Sequence, residues 1–255
     1  MPSIYCDCIE DILWDKVYAD AFSFNACVDA WRIQISSNLQ LIDCFDHILS
    51  QDEQARASRY HQEKDRQRFM LSRIALRFLL AKYTNSEPEK IKSGIGLNKK
   101  PFIQNNSTPD LHYNLSHAGD WILIAISNSD VGIDIEKMDE KFSYSEILRH
   151  NFSHAEIDFI TDGKKPVESF YLLWTRKEAL LKATSKGIDN DLPFVPCLDG
   201  EHIVDQKIIG SDENFCVSSF KIGDVYVGSI ASPKKCQLLR FRDINEFSFP
   251  KQASF

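Results

Sequence analysis

The sequence lacks the features of a membrane-bound or secreted protein. It has no run of about 18 apolar residues that could span a bilayer. The first residues include several acids, whereas a secretory signal needs a basic start followed by an uninterrupted apolar segment. Seven cysteines, an odd number scattered over 255 residues, favour reduced thiols over a disulfide framework. We therefore expect a cytoplasmic protein that does not bind membranes.

The composition is that of an ordinary globular protein without low-complexity segments or solenoid repeats. Hydrophobic residues make up 43% of the chain, which is enough for a substantial core. The net charge of -7 argues against a general affinity for nucleic acid. Residues 53–100 nevertheless contain 12 Lys and Arg against 5 Asp and Glu. This basic segment indicates either a local anion site or a solvated helix face.

Hydrophobic periodicity predicts helices and strands in a mixed order. We expect one long helix over 51–83 and a second over 166–186, the latter starting at Pro166 and ending before Gly187. Short alternating patterns predict strands over 111–115, 121–126, 131–135, 215–220 and 225–230. This order predicts an α+β protein of two lobes, residues 1–115 and 116–255.

Two carboxylates, Asp134 and Glu136, flank Ile135 in one of the predicted strands. Side chains two residues apart on a strand point to the same face, so the two acids would lie side by side. Two adjacent acids alone do not make a site for a hard cation. An exposed acidic strand end is the alternative interpretation.

Glu178 strengthens the case for a site because it shares one side of the second helix with Trp174. An unpaired carboxylate on an apolar face is costly, so this glutamate should find a cation, a hydrogen-bonding network or a raised pKa. Three carboxylates from a strand and a helix would form a natural magnesium site. A salt bridge from Glu178 to Lys182 or Arg176 is the structural alternative.

Candidates for an anion site lie upstream of these acids. Ser116 and His117 belong to a predicted Ser-His-Ala-Gly turn, whose small residues would let a diphosphate approach the backbone. Lys100, Arg59 and Arg68 are available to supply positive charge. A histidine alone is usually structural, and a basic residue alone is more often solvated surface than a ligand contact.

The combination of motifs resembles the 4'-phosphopantetheinyl transferase family, in particular its longer, two-lobed, surfactin-synthetase-activating type. The resemblance implies two similar α+β lobes about a pseudo-twofold axis, each a helix packed on a small, mainly antiparallel sheet, with coenzyme A in the cleft. Three segments carry it, in matching order and spacing: Lys100-Pro101; Asn114 to His117 with Gly132 to Glu136; and Trp174 to Glu178 through Lys182 to Gly187.

The resemblance also implies a reaction, in which 4'-phosphopantetheine passes from coenzyme A to a serine of an apo acyl or peptidyl carrier protein. Adenosine 3',5'-bisphosphate is the implied second product. Asp134, Glu136 and Glu178 match the magnesium ligands of the family. Lys182 is similar to the lysine that contacts the phosphate of the pantetheine arm, and we expect Glu178 to act as general base.

Coenzyme A binding is implied for a further set of residues, among which His117 is also expected to contribute to catalysis. The set is Arg59, Arg68, Lys100, Ser116 and His117, together with Lys182. Two positions depart from the family pattern: Lys99 replaces a common glycine, and Asn151 replaces a phenylalanine near the expected carrier surface.

Two other functions remain compatible with the same residues. A non-catalytic protein could bind coenzyme A or a nucleotide, and a magnesium-dependent hydrolase could use water in place of the carrier serine. The two-lobed form of the family further implies a monomer.

Overall fold

The computed structural model describes residues 1–15, 22, 27–96, 100–104, 111–236 and 238–244. Its helices are α1 (Gln40–Phe45), α2 (Gln51–Ala57), α3 (Glu63–Thr84), α4 (Ser145–Asn151), α5 (His154–Thr161), α6 (Pro166–Thr184) and α7 (Gln206–Ile209). Its strands are β1 (Ser3–Cys8), β2 (Cys27–Gln34), β3 (Lys92–Ile95), β4 (Pro101–Gln104), β5 (His112–Ala118), β6 (Trp121–Ser127), β7 (Gly132–Lys137), β8 (Gly200–Ile203), β9 (Phe215–Ile222), β10 (Tyr226–Pro233) and β11 (Leu238–Asp243).

Two sheets organise the described chain. The larger has the order β7-β10-β9-β1-β8, and the smaller has the order β11-β2-β6-β5. Neighbouring strands are antiparallel, except that β1 pairs with β9 and β11 pairs with β2 in parallel. Strands β3 and β4 form a separate antiparallel pair. The α+β class expected from the sequence is confirmed.

The two sheets contain the same unit. In the smaller sheet β2 is followed by α3 and by the hairpin β5–β6, and the last strand, β6, lies between the other two. In the larger sheet β7 is followed by α6 and by the hairpin β9–β10, and β10 again lies in the middle. The expected pair of similar lobes, each a long helix on a small sheet, is therefore present.

The division of the chain at residue 115 stays a prediction. Strand β5 runs across this position, and the ends of the chain cross between sheets. Near the amino terminus, β1 lies beside β8 and β9, whereas β11 lies beside β2. Each sheet is consequently built from segments that are distant in the sequence.

Apolar clusters between the helices and the sheets hold these elements together. One face of the smaller sheet packs on α3, for example through Trp31 and Ile33 against Leu71. The opposite faces of both sheets pack on each other, with Ala30 of β2 and Ile133 of β7 in one cluster. A third cluster covers the larger sheet with the end of α6. The central strands β6 and β10 are thus buried on both faces.

The long helix predicted over residues 51–83 is wrong in one respect, because the structure has two helices, α2 and α3, in its place. Ser58 ends α2, and its hydroxyl donates to the Ala55 carbonyl, which competes with helical bonding. Gln62 is extended (φ -93°, ψ 126°) and α3 begins after it. The predicted end is confirmed, since Asn85 adopts a left-handed conformation just after α3.

The structure bears in part on two expectations from the sequence, the absence of a membrane-spanning segment and the reduced state of the cysteines. Within the described ranges no helix is long and apolar enough to cross a bilayer. The cysteines whose structure is described are free thiols: Cys6, Cys8, Cys44, Cys197, Cys216 and Cys236.

Strand β7 approaches α6 so closely that only glycine fits at its first position. A Cβ atom on Gly132 would overlap the carbonyl oxygen of Ala179 and the amide nitrogen of Ala183. Both atoms belong to the backbone of α6, so they cannot move aside as a flexible side chain would. Gly132 therefore sets the distance between β7 and α6.

We expect Gly132→Ala to lower the free energy of unfolding by about 3 kcal/mol, because the helix must shift away from the strand. The matched control is Gly223→Ala, where no atom lies within 4 Å of the added Cβ but φ is +59°. That control should cost only about 1 kcal/mol of backbone strain. Urea unfolding of both variants measures the difference, and equal losses would contradict the close-packing argument.

Candidate functional site between the two sheets

Strand β5 is at the edge of the smaller sheet, and β7 is at the edge of the larger sheet. Side chains of β5 contact β7. The Asn114 side-chain oxygen accepts a hydrogen bond from the backbone N–H of Ile133 at 2.9 Å. Two residues further along β5, the Ser116 hydroxyl donates to Asp134 Oδ1 at 2.8 Å. These bonds bring Ser116, predicted to bind phosphate, next to Asp134, predicted to bind metal.

Strand β7 presents Asp134 and Glu136 on one face, while Ile133 and Ile135 enter the core between the sheets. Asp134 is buried and Glu136 is half-buried. Burial, followed by the negative charge of Asp134, raises the pKa of Glu136 to about 7, and Glu178 adds to the effect. The two strand acids and the helix glutamate therefore lie close enough to repel one another.

Helix α6 contributes Glu178 and, one turn later, Lys182. The Lys182 ammonium donates to Asp134 Oδ1 at 2.6 Å and lies 3.4 Å from the Ser116 hydroxyl. Burial raises the pKa of Glu178, an effect that the Lys182 charge opposes and the Asp134 charge reinforces. The structural alternative of a Glu178 salt bridge is not adopted, since Lys182 pairs with Asp134 and Arg176 pairs with Asp199 at 2.6 Å.

The charge balance of this cluster fits a divalent cation. Asp134 Oδ2 is buried and, within the described part of the chain, has no hydrogen-bond partner. Among the described residues, Lys182 is the cation that pairs with this group of carboxylates, and burial together with their mutual repulsion raises the pKa of Glu136 and of Glu178. Oxygen ligands of this kind suit magnesium. A bound ion would supply the missing positive charge and a partner for Oδ2.

The carboxylates do not already form a cage. Among the described residues, no three His, Cys, Asp or Glu side chains surround a common point closely enough to hold a metal ion. The Lys182 ammonium lies on Asp134 instead. The assignment of Asp134, Glu136 and Glu178 as the magnesium ligands stays a prediction.

Ser116 and His117 do not lie in a turn, as the sequence had suggested, but within β5. Pairing with Leu123 and Ile122 of β6 extends the strand as far as Ala118, and the turn follows it. Partial burial lowers the pKa of His117, and the nearby positive charges of Arg68 and Lys182 add to this effect. The imidazole beside two cations is a suitable contact for phosphate.

The other predicted cations are more dispersed. Arg68 on α3 donates to Asp65 at 2.9 Å, and Arg59 lies at the exposed bend between α2 and α3. Lys100 bonds to Asp130 and to the backbone end of α6 rather than standing free. Lys99, which departs from the family pattern, lies outside the described residues.

A small cleft of about 160 Å³ connects several of these residues. Glu178 and Lys182 line it from α6, and Asn114 lines it from β5. Lys100 and Pro101 close another side. The cleft thus joins all three segments that carry the family resemblance.

Comparison with protein families agrees with this arrangement. Residues 130–231 match the model of the 4'-phosphopantetheinyl transferase superfamily, and residues 31–129 match that of the 4'-phosphopantetheinyl transferase N-terminal domain. The 4'-phosphopantetheinyl transferase HetI of Nostoc sp. is 30% identical over 165 residues, which are 63% of this chain and 70% of HetI. The chain belongs to the 4'-phosphopantetheinyl transferase family.

The chain is also similar to two Bacillus transferases. A 4'-phosphopantetheinyl transferase of Bacillus subtilis is 32% identical over 143 residues, 55% of this chain and 62% of that protein. The 4'-phosphopantetheinyl transferase Sfp of Bacillus subtilis strain 168 is 29% identical over 146 residues, 56% of this chain and 63% of Sfp. The aligned part is thus less than two thirds of the length of these two relatives.

The transferase motif on α6 contains two cations with structural roles that the sequence analysis missed. Arg176 is buried and donates to Ser219 Oγ, to the Cys197 carbonyl and to Asp199. Lys177, equally buried, forms an ion pair with Glu156 at 2.9 Å. Both point away from the acidic cluster, toward the 192–199 segment and α5. Both residues directly precede Glu178 in the sequence, and the sequence pattern did not indicate that they point in another direction.

Lys177→Met should lower the free energy of unfolding by about 3–5 kcal/mol, because Glu156 would remain buried without its partner. The double variant Lys177→Met with Glu156→Gln should recover part of this loss, since no uncompensated charge remains. Denaturant unfolding of the single and double variants provides the measurement. A single variant as stable as the parent would show that the pair does not hold the motif in place.

Proposed function

We propose that this chain transfers 4'-phosphopantetheine from coenzyme A to a serine hydroxyl of an apo acyl or peptidyl carrier protein. The observation that carries the proposal is the convergence of Asp134, Glu136 and Glu178 with Lys182, at the junction of β7 and α6. The family membership of the chain supports the same reaction. Adenosine 3',5'-bisphosphate is the second product.

The cations and hydroxyl around the acids would bind the diphosphate of coenzyme A. Ser116 and His117 lie on the strand that borders Asp134, and Arg68 and Lys182 supply positive charge near His117. Phosphate oxygens accept hydrogen bonds from all four side chains. Arg59 and Lys100 are proposed for the nucleotide end, as the family pattern implies.

We propose magnesium as the cofactor, held by Asp134, Glu136 and Glu178. When bound, the ion would neutralise phosphate charge and draw electron density from phosphorus. The buried, unpartnered Oδ2 atom of Asp134 supports this ligand set.

In the proposed reaction, the carrier serine oxygen forms a bond to the phosphorus of the pantetheine arm, and the bond from that phosphorus to the bridging oxygen breaks. The electron pair leaves with adenosine 3',5'-bisphosphate, whose charge Lys182 would stabilise. Glu178 would accept the serine proton, since this residue lines the cleft. Base catalysis of this kind typically contributes about 10²- to 10⁴-fold.

We also propose that the protein acts as a monomer in the cytoplasm. The two similar units lie in one chain, and strands β1 and β11 tie the ends of the chain into the sheets. The free thiols of the described cysteines fit a reducing compartment.

Incubation with coenzyme A, magnesium and a panel of apo carriers tests the activity directly. Mass spectrometry should show a gain of about 340 Da on one carrier serine, as expected for transfer of one phosphopantetheine group. Release of pantetheine phosphate without any carrier would indicate a hydrolase instead. Binding of coenzyme A with neither product would indicate a non-catalytic binding protein.

Glu178→Gln should reduce the transfer rate by about 10²-fold or more, because it removes both a negative charge and the proton acceptor. Glu168→Gln is the matched control, since Glu168 lies on the same helix and pairs with Lys221 away from the cluster. The control should retain the parental rate. If Glu178→Gln loaded carriers as fast as the parent at saturating magnesium, neither role of Glu178 could stand.

A further inference from the structure

Lys100 connects the small β3–β4 pair to the end of α6. Its ammonium donates to the Ala183 carbonyl at 2.6 Å and to Asp130 Oδ1 at 2.8 Å. The lysine side chain is only 15% exposed, so its charge is largely withdrawn from solvent. The contact therefore joins segments that come from different parts of the fold.

Asp130 contacts both this lysine and a histidine. It lies in the connection between β6 and β7, and His112 Nδ1 of β5 lies 3.2 Å from the same Oδ1 atom that binds Lys100. The hydrogen bonds from His112 and from Lys100 hold the pKa of Asp130 well below its usual range. The carboxylate is thus ionised at neutral pH and can anchor the ammonium.

The Ala183 carbonyl is one of the last of α6, and such carbonyls have no partner within their own helix. A cation at this end of a helix is favourable because the helix dipole concentrates negative charge there. Ala183 directly follows Lys182. Holding the Ala183 carbonyl therefore restrains the backbone of Lys182.

We propose that Asp130 is a positioning residue, which keeps the Lys100 ammonium on the carboxyl end of α6 and thereby fixes Lys182 beside Asp134. The inference rests on the proposed transfer reaction and gives Lys100 a role at the helix end. Asp130 does not touch the acids, and it contacts Lys100, which is proposed for the nucleotide end of coenzyme A. It acts through Lys100 and the helix backbone.

Asp130→Asn tests this role, because it retains the shape of the side chain and removes its charge. We expect kcat for carrier loading to fall about tenfold, since small displacements of a catalytic group are costly. The KM for coenzyme A should change less than kcat, because Lys100 keeps its charge in this variant and the main loss concerns the transition state. Asp130→Glu, which restores the charge, should recover most of kcat.

Hydrogen exchange provides a second measurement that does not depend on activity. Peptides over residues 180–186 should exchange faster in Asp130→Asn, while peptides of α3 should be unchanged. Lys100→Gln should also speed the exchange of residues 180–186. The double variant should exchange little faster than either single variant, because both substitutions remove the same contact between Lys100 and Asp130. Lys100→Gln also keeps the test decisive if Asp130→Asn does not fold.

Glu201→Gln is the matched control for the loss of one negative charge, since Glu201 pairs with Lys234 at 2.6 Å on the far strand β8. It should leave kcat and the exchange of residues 180–186 unchanged. An unchanged kcat in Asp130→Asn, or a loss seen only as a higher KM for coenzyme A, would overturn the positioning role. If the parent itself loads no carrier, the transfer reaction fails, whereas hydrogen exchange still decides whether Asp130 holds the helix end.

Discussion

The contact between strand β7 and helix α6 is the constraint on which the site depends. Gly132 lets the two backbones approach, because any larger residue would overlap α6 at Ala179 and Ala183. This approach sets Asp134 and Glu136 on the strand against Glu178 on the helix. Carboxylates this close repel one another. This repulsion lowers the stability of the folded state unless a cation binds between them.

The surrounding structure opposes that repulsion with buried polar contacts. Lys182 pairs with Asp134, and Ser116 donates to the same carboxylate from the neighbouring sheet. On the opposite side of α6, Arg176 and Lys177 attach the helix to α5 and to the 192–199 segment. The helix that carries Glu178 is therefore fixed on both sides. A rigid support of this kind is what a precise phosphate and metal site requires.

The sequence predicted the local elements of this site well. Helix α6 was recognisable from Pro166 and from Gly187 beyond its end, and the β9–β10 hairpin from alternating residues. These elements depend on residues that are neighbours in the chain. Hydrophobic periodicity in the sequence therefore predicts them. The family motif also predicts Asp134, Glu136 and Glu178 as metal ligands.

Long-range contacts escaped prediction for a physical reason. Strands β1 and β11 pair in parallel with partners about 200 residues away, and no local pattern specifies such a partner. The break between α2 and α3 depends on the Ser58 hydroxyl and the extended Gln62, whose effect periodicity does not capture. The contact of Lys100 with Asp130 likewise links residues that no single motif contains.

We propose that Asp134, Glu136 and Glu178 bind one divalent ion. Electron paramagnetic resonance of Mn²⁺, titrated into the protein with coenzyme A present, measures the number of bound ions. The account predicts one ion per chain in the parent and a strong loss of binding in Asp134→Asn. Mn²⁺ binding that was unchanged in this variant, or no bound ion in the parent, would contradict it.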